Sequence, residues 1–298
     1  MEMNKHRILV FDVETTGLLP KVSKVSKGPS DPTVPMEPNA TRVTSEGRLD
    51  PTVPIEPSAT RLDQTVPMEP IDPNPYIIQF SFILYNLQTR SIERKHDFYI
   101  NPPIDIPEKI TEITGITKEM CVEKGVPLIL ALDCFYECYT MSNTVIAHNM
   151  AFDSAMVKIE LERNKEEIEL LAYYCFNLFD VTFEQSRGID RFCTMRYSTN
   201  ICNIMVSRAP KEPSLPLVPL EVSSEVSQDP NVPVKVPTKY KKWPTLLEFH
   251  QHLFNSVPEN LHNSIVDVLV CLRCFLKSYK RIVIEDAEFE QMQKYLVS

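Results

Sequence analysis

The chain has 298 residues, 43% of them hydrophobic and 24% charged, with a net charge of −9. That length and apolar content suffice for a sizeable core, and the acidic balance excludes a protein that coats a nucleic-acid backbone by bulk charge. It does not exclude a site that handles phosphate through bound divalent metal, because such ions reverse the local sign.

Nineteen of the 25 prolines fall in two windows, 20–75 and 209–239, and glycine is scarce at six. We read one globular domain over 1–298, interrupted by two proline-rich insertions, rather than two domains. The sequence has no signal-peptide pattern and no apolar run long enough to span a bilayer. This predicts an intracellular protein, cytoplasmic or nuclear, with no membrane partner. The eight cysteines lack the spacing of a secreted disulfide framework. Cys271-x-x-Cys274 has metal-pair spacing but sits in an apolar helical run without a second pair, so buried thiols are the better reading. Asn39-Ala40-Thr41 is a glycosylation sequon that would stay unmodified in that compartment.

In chain order, R-I-L-V-F-D-V (7–13) is an apolar run typical of a buried strand, broken by Thr15-Thr16-Gly17. From 20 to 75 the periodicity vanishes. D-P-T-V-P-M-E-P-N-A-T-R (31–42) recurs at 50–61 with two changes and again, truncated, at 63–70. Prolines three apart share one face of a polyproline II helix. The segment reads as a disordered spacer grown by duplication, with a docking strip over 31–70 for a polyproline-recognising protein as the sharper alternative. From 76, Y-I-I-Q-F-S-F-I-L-Y-N and I-E-R-K-H-D-F-Y-I read as two strands joined by a hairpin near Gln88-Thr89-Arg90. Two short helical pieces flank Gly115, and 127–140 is an amphipathic helix. T-V-I-A (144–147) is a short buried strand followed by a helix from about 151. Residues 165–179 read as helical and 191–195 as a strand. P-T-L-L-E-F-H-Q-H-L-F is a helix with proline at its first turn, 264–280 a long helix, and 283–298 a final helix. The alternation predicts an α/β protein with a mixed sheet covered by helices.

Three short motifs carry chemistry. In F-D-V-E-T-T-G-L, Asp12 and Glu14 are two apart on a strand and project to the same face. Adjacent carboxylates repel unless a cation lies between them, and hard oxygen donors suit Mg²⁺ or Mn²⁺ rather than zinc. Their place at the C-terminal end of a buried strand is where ligand sites in α/β sheets gather. In A-H-N-M-A-F-D, Asp153 follows a strand and a turn, near the start of a helix. His148 and Asn149 read first as hydrogen-bonding residues that fix the turn. In H-N-S-I-V-D, His262 and Asp267 lie five apart, about 140° on a continuous helix. They converge only if His262 precedes the helix and Asp267 lies in its first turn. Ser264-x-x-Asp267 as a capping box is the alternative for that aspartate.

These motifs resemble the DEDDh 3′–5′ exonucleases, the family of the proofreading subunit of bacterial DNA polymerase III. F-D-V-E-T-T-G-L, H-N-x-x-F-D and H-N-S-I-V-D match its three motifs, and I-T-G-I-T and F-C-T-M add to the likeness. Ser264 and Val268 stand where the family favours alanine. A sister group carries tyrosine four before the last aspartate; here that residue is Asn263, with histidine at five.

The resemblance implies a ribonuclease H-like fold with a central five-stranded mixed sheet. It implies a hydrolase that removes nucleoside 5′-monophosphates from nucleic-acid 3′ ends, single-stranded or frayed duplex, DNA before RNA. It implies two Mg²⁺ ions, replaceable by Mn²⁺, held by Asp12, Glu14, Asp153 and Asp267, with Asp12 bridging and His262 as general base. Thr15, Thr16, Leu18 and Asn149 would bind the terminal nucleotide, Leu18 as a wedge against the last base; a core leucine in a turn is the alternative for it. Apart from the resemblance, K-Y-K-K-W (239–243) is the one local basic-aromatic cluster; it reads first as a solubilising flank of the following helix, with a phosphate grip and base stacking as the alternative. Two other classes remain: a non-catalytic end binder, whose mark would be a missing ligand, and a scaffold working through its P-x-x-P repeats.

Overall fold

A computed structural model describes residues 6–20, 72–208 and 238–297. The spacer and docking-strip readings of 20–75, and most of the second insertion, lie outside those residues.

Five strands form one mixed sheet: β1 (Arg7–Thr15), β2 (Ile77–Asn86), β3 (Ser91–Tyr99), β4 (Thr144–Ala147) and β5 (Asp190–Cys193), in the order β3-β2-β1-β4-β5. β2 runs antiparallel to both β1 and β3, whereas β1, β4 and β5 are parallel. The helices are α1 (Glu108–Thr114), α2 (Lys118–Lys124), α3 (Leu128–Met141), α4 (Met150–Arg163), α5 (Lys165–Leu171), α6 (Val181–Arg187), α7 (Thr194–Cys202), α8 (Leu246–Phe254), α9 (Ser264–Phe275) and α10 (Asp286–Val297). A short ribbon pairs β6 (Met205–Arg208) with β7 (Thr238–Lys241). The expected mixed α/β architecture is the one found.

β1 alternates between two buried layers. Leu9, Phe11 and Val13 pack with Phe80, Phe82, Phe135, Met156 and Val157, so α3 and α4 cover that face. Phe80 and Phe135 ring centroids are 4.8 Å apart, and those of Phe11 and Phe135 5.1 Å. Ile8 and Val10 face the other way, onto Ile265, Leu269 and Leu272 of α9. Each such side chain contributes about 1.5–3 kcal/mol when removed from water.

The edges of the long insertion are tied together. Thr16 N–H donates to the Tyr76 carbonyl at 2.9 Å, and Tyr76 N–H donates back to Thr16 Oγ1 at 2.9 Å. Glu160, 3% exposed, accepts from Ile77 N–H, and Arg163 donates to the Asn74 and Pro75 carbonyls while stacking on Tyr76.

Several expectations are corrected. The helix over 165–179 ends at Leu171, where Ala172 leaves helical angles at φ −150°. A 3₁₀ turn follows (Tyr173–Asn177), and its three-residue period directs Cys175 and Leu178 inward together. β5 stops at Cys193, and α6, α7 and the β6–β7 ribbon have no counterpart in the sequence reading. Pro244 precedes α8 rather than occupying its first turn, because Thr245 is the N-cap and forms a capping box with Glu248. The long helix changes to a π-helical turn at Leu276–Lys280.

Candidate metal centre

Asp12 and Glu14 share the parity of Ile8 and Val10, so they continue the α9-facing side of β1. Across the antiparallel ladder Asp12 pairs with Ser81 and Glu14 with Gln79, and Ser81 pairs in turn with Asp97 of β3. One face of the sheet thus changes along its length from apolar to carboxylate, amide and hydroxyl.

α9 brings the third carboxylate. Its N-cap, Asn263, makes no side-chain cap bond. Instead Ser264 N–H donates to Gln79 Oε1 at 3.2 Å, and Ser264 Oγ donates to the Asp12 carbonyl at 2.9 Å. The Ser264–Asp267 capping box therefore does not form. Asp267, in the first turn, lies where one oxygen each of Asp12, Glu14 and Asp267 fall within 4.8 Å of one another. Asp153 enters from α4 on the opposite layer. It is 2% exposed, accepts from Val13 N–H at 3.3 Å, and stands outside that group of three.

Like charges held in a poorly solvated place resist ionisation. Burial pushes Asp12 up to about 6. Burial, then Asp12 and Asp267, push Glu14 up to about 9. Burial and then Asp12 push Asp267 up to about 8, and the same two causes raise Asp153. No lysine or arginine of the described residues pairs with any of the four. Asp153 Oδ2 and Asp267 Oδ1 are buried with no hydrogen-bond partner. Buried carboxylate oxygens without donors, beside other carboxylates, fit a hard divalent cation.

His262 lies just before α9, in a left-handed conformation (φ 70°), exposed, with its backbone N–H donating to Asp267 Oδ2 at 3.3 Å. Its contact with the carboxylates runs through the backbone. Thr15 Oγ1 donates to the Gly17 carbonyl at 2.7 Å, and Thr15 and Thr16 are both 7% exposed. Leu18 is 85% exposed, which removes its reading as a core leucine. Asn149 adopts φ 87° ahead of α4 without capping it. His148 holds Thr194 Oγ1 at 2.9 Å and the Pro244 carbonyl at 3.1 Å. Burial lowers it to about 4, so it is a neutral tie, as its turn-fixing reading expected. In K-Y-K-K-W, Lys241 binds Asn200 Oδ1 and Lys242 binds Glu248.

Gln79, Ser81 and Asp97 escaped the sequence reading. The available signal was two polar residues at alternate positions of an otherwise apolar strand, which marks a polar end on one face. Cys271 and Cys274 are buried free thiols in α9, outside the acidic cluster.

Sheet order and strand directions define an α/β protein with a five-stranded mixed sheet, and its candidate metal centre lies at the end of β1. Residues 59–202 match the model of the exonuclease family (RNase_T), a span that includes β2 through α7 and Asp153. No curated protein matches the chain significantly in sequence. Among solved structures, it is similar to exonuclease I of E. coli in complex with a dA16 oligonucleotide, at 12% identity and a TM-score of 0.47, covering 97% of this chain and 43% of that one. The zinc-bound E. coli exonuclease I–ssDNA complex gives 13% and 0.48, covering 97% and 43%. A moderately thermophilic exonuclease I from Methylocaldum szegediense gives 18% and 0.38, covering 65% and 29%. The chain spans under half the length of these proteins.

Proposed function

We propose that the chain is a two-metal 3′–5′ exonuclease acting on nucleic-acid 3′ ends, DNA before RNA, and releasing nucleoside 5′-monophosphates. The observation that carries this reading is the convergence of Asp12, Glu14 and Asp267 within 4.8 Å without a counter-charge. Asp153, tied to Val13, would complete the carboxylate set. Two bound divalent ions would supply Lewis-acid activation of a water and of the scissile phosphate. Asp12, Glu14, Asp153 and Asp267 would hold them, with Mg²⁺ as the ordinary occupant and Mn²⁺ as a substitute. His262 would take the proton from the attacking water, its exposed position before α9 leaving it open to solvent and substrate. The exposed Leu18 would wedge against the terminal base, while the backbone around Thr15 and Thr16 and the Asn149 side chain would hold the last nucleotide. The repeat-bearing segment 20–75 would be dispensable for hydrolysis, since the Thr16–Tyr76 pairing brings its ends together. Among the described residues no helix is long and apolar enough to cross a membrane.

Incubating the protein with Mg²⁺ and 5′-labelled or 3′-labelled single-stranded and duplex DNA and RNA tests polarity, substrate and product in one series. Stepwise shortening of 5′-labelled DNA with release of 5′-monophosphates is expected. Preferred cleavage of RNA would move the substrate to the alternative, and no cleavage of either would leave an end-binding protein. A chain with 20–75 replaced by a short linker should keep its turnover; a large loss would give the segment a part in the reaction.

A further inference from the structure

Gln79 is fully buried in a strand whose neighbours are nearly all apolar, and it holds two partners at once. Its Oε1 accepts the Ser264 N–H at 3.2 Å, and its Nε2 donates to Asp97 Oδ1 at 2.8 Å. The first backbone N–H groups of a helix have no partner within it. α9 has no side-chain cap of its own, so a strand from elsewhere in the fold supplies the acceptor. The amide can do this only in one orientation. Asp97, which also accepts from Ser81 Oγ at 2.6 Å, dictates that orientation, because a carboxylate attracts the amide nitrogen and repels its oxygen. Gln79 lies opposite Glu14 in the ladder, and Ser264 also binds the Asp12 carbonyl. The start of α9 is thereby fastened to the two strands that carry and flank the first two carboxylates, three residues ahead of Asp267.

We propose that Gln79 is a positioning residue that sets the distance from Asp267 to Asp12 and Glu14, and that Asp97 acts behind it by fixing the amide. This rests on the metal-centre reading above. A neutral acceptor suits the place. It caps the helix start without adding a further negative charge beside a cluster that already resists ionisation.

The test is Mn²⁺ binding by titration calorimetry, with thermal melting alongside, on the full chain and on Gln79→Met, Asp97→Ala and the double variant. Methionine keeps the volume and loses both hydrogen bonds. Residues that orient a metal's ligands typically control about 10–100-fold in affinity, so Gln79→Met is expected to weaken Mn²⁺ binding by that factor. Asp97→Ala, at an exposed position, is expected to weaken it by a smaller factor. The double variant should bind no more weakly than Gln79→Met alone, since both changes act through one contact. Wild-type affinity in Gln79→Met, even with a lower melting temperature, would reduce the residue to a packing role and overturn the proposal. Should Gln79→Met fail to fold, unchanged affinity in Asp97→Ala would overturn it equally. Absence of Mn²⁺ binding by the unsubstituted chain would instead overturn the metal centre, and this inference with it.

Discussion

Helix α9 carries one acidic and one basic side chain, Asp267 and Arg273, six residues apart, and the fold treats them in opposite ways. Arg273 is 2% exposed and fully engaged. Its Nε donates to the Ile284 carbonyl at 3.1 Å, Nη2 to Asp286 at 2.5 Å, and Nη1 to His250 Nε2 at 3.2 Å. Phe254 and Phe289 lie against the guanidinium at 3.9 and 4.3 Å. Because arginine only donates, His250 must accept at Nε2 and so carries its proton on Nδ1, facing the Ser256 carbonyl at 3.1 Å. Every side-chain nitrogen of Arg273 and His250 has a protein partner. One and a half turns earlier, Asp267 Oδ1 has none, and the nearest charges are other carboxylates. A buried charge that the protein itself satisfies belongs to the architecture. One that it leaves unsatisfied, at a cost of about 1–3 kcal/mol or more, is a candidate ligand for a bound cation.

The sharpest way to break this contrast is to remove the unsatisfied carboxylates. Asp12→Ala, Glu14→Ala, Asp153→Ala and Asp267→Ala should each lower hydrolysis on the order of 10⁴-fold, the equivalent of several kcal/mol of lost metal assistance, while the chain stays folded by circular dichroism. A variant with near-wild-type turnover in Mg²⁺ would take its residue out of the site.

His262→Ala should come next, lowering turnover by about 10²–10⁴-fold with Mn²⁺ affinity nearly intact, because a general base is not a ligand. Parallel kinetics and titration against Asp267→Ala check the separation. Normal turnover in His262→Ala would leave that residue as a turn element only.

At the other end of α9 the signs reverse. Arg273→Met should lower unfolding stability by about 2–4 kcal/mol, since the Ile284 carbonyl and His250 lose their donor. Turnover per folded molecule should be unchanged. Urea midpoints with activities normalised to the folded fraction measure both, and a turnover loss larger than the unfolding would bring Arg273 into the reaction.

The smallest effect is a gain. Asp12, Glu14 and Asp267 keep their protons to higher pH in the folded chain than in the unfolded one. Their contribution to metal-free stability is therefore greatest at the acid end of the window. It is lost as pH rises from the ordinary carboxylate range near 4 toward about 8–9. Asp267→Asn should raise the metal-free melting temperature at pH 8, by about 2–4 °C for each kcal/mol of repulsion relieved. Saturating Mn²⁺ should invert the order, stabilising wild type above the variant. A metal-free melting temperature that climbs steadily from pH 5 to 9 would contradict this account.

Sequence and structure agree best where the signal is local. The apolar run ending in Asp12-Val13-Glu14 announces a buried strand with both carboxylates on one face, and T-V-I-A followed by a turn places Asp153 at a helix start. Asp267 was assignable to the first turn because Asn263 and Ser264 are poor continuations of a helix but good beginnings. What stayed hidden is non-local. Gln79 looks like ordinary alternation until Ser264, 185 residues away, is seen to need an acceptor. Asn255, Asn260 and His262 take left-handed conformations that asparagine and histidine adopt more often than most residues, but the sequence does not mark which of these residues will do so. T-M-R-Y-S-T-N-I-C forms α7 despite modest helix propensity, because Thr194 and Ser198 are buried by the surrounding fold.

The reciprocal bonding of Thr16 and Tyr76 also bears on how such a chain can change over evolutionary time. Joining the ends of a long connection costs free energy that rises only with the logarithm of its length, about 0.6 kcal/mol per doubling. With the two ends already clasped next to the first motif, one more copy of the P-T-V-P unit would add only about 0.2–0.3 kcal/mol. Tandem duplication at this point is therefore nearly invisible to selection on stability.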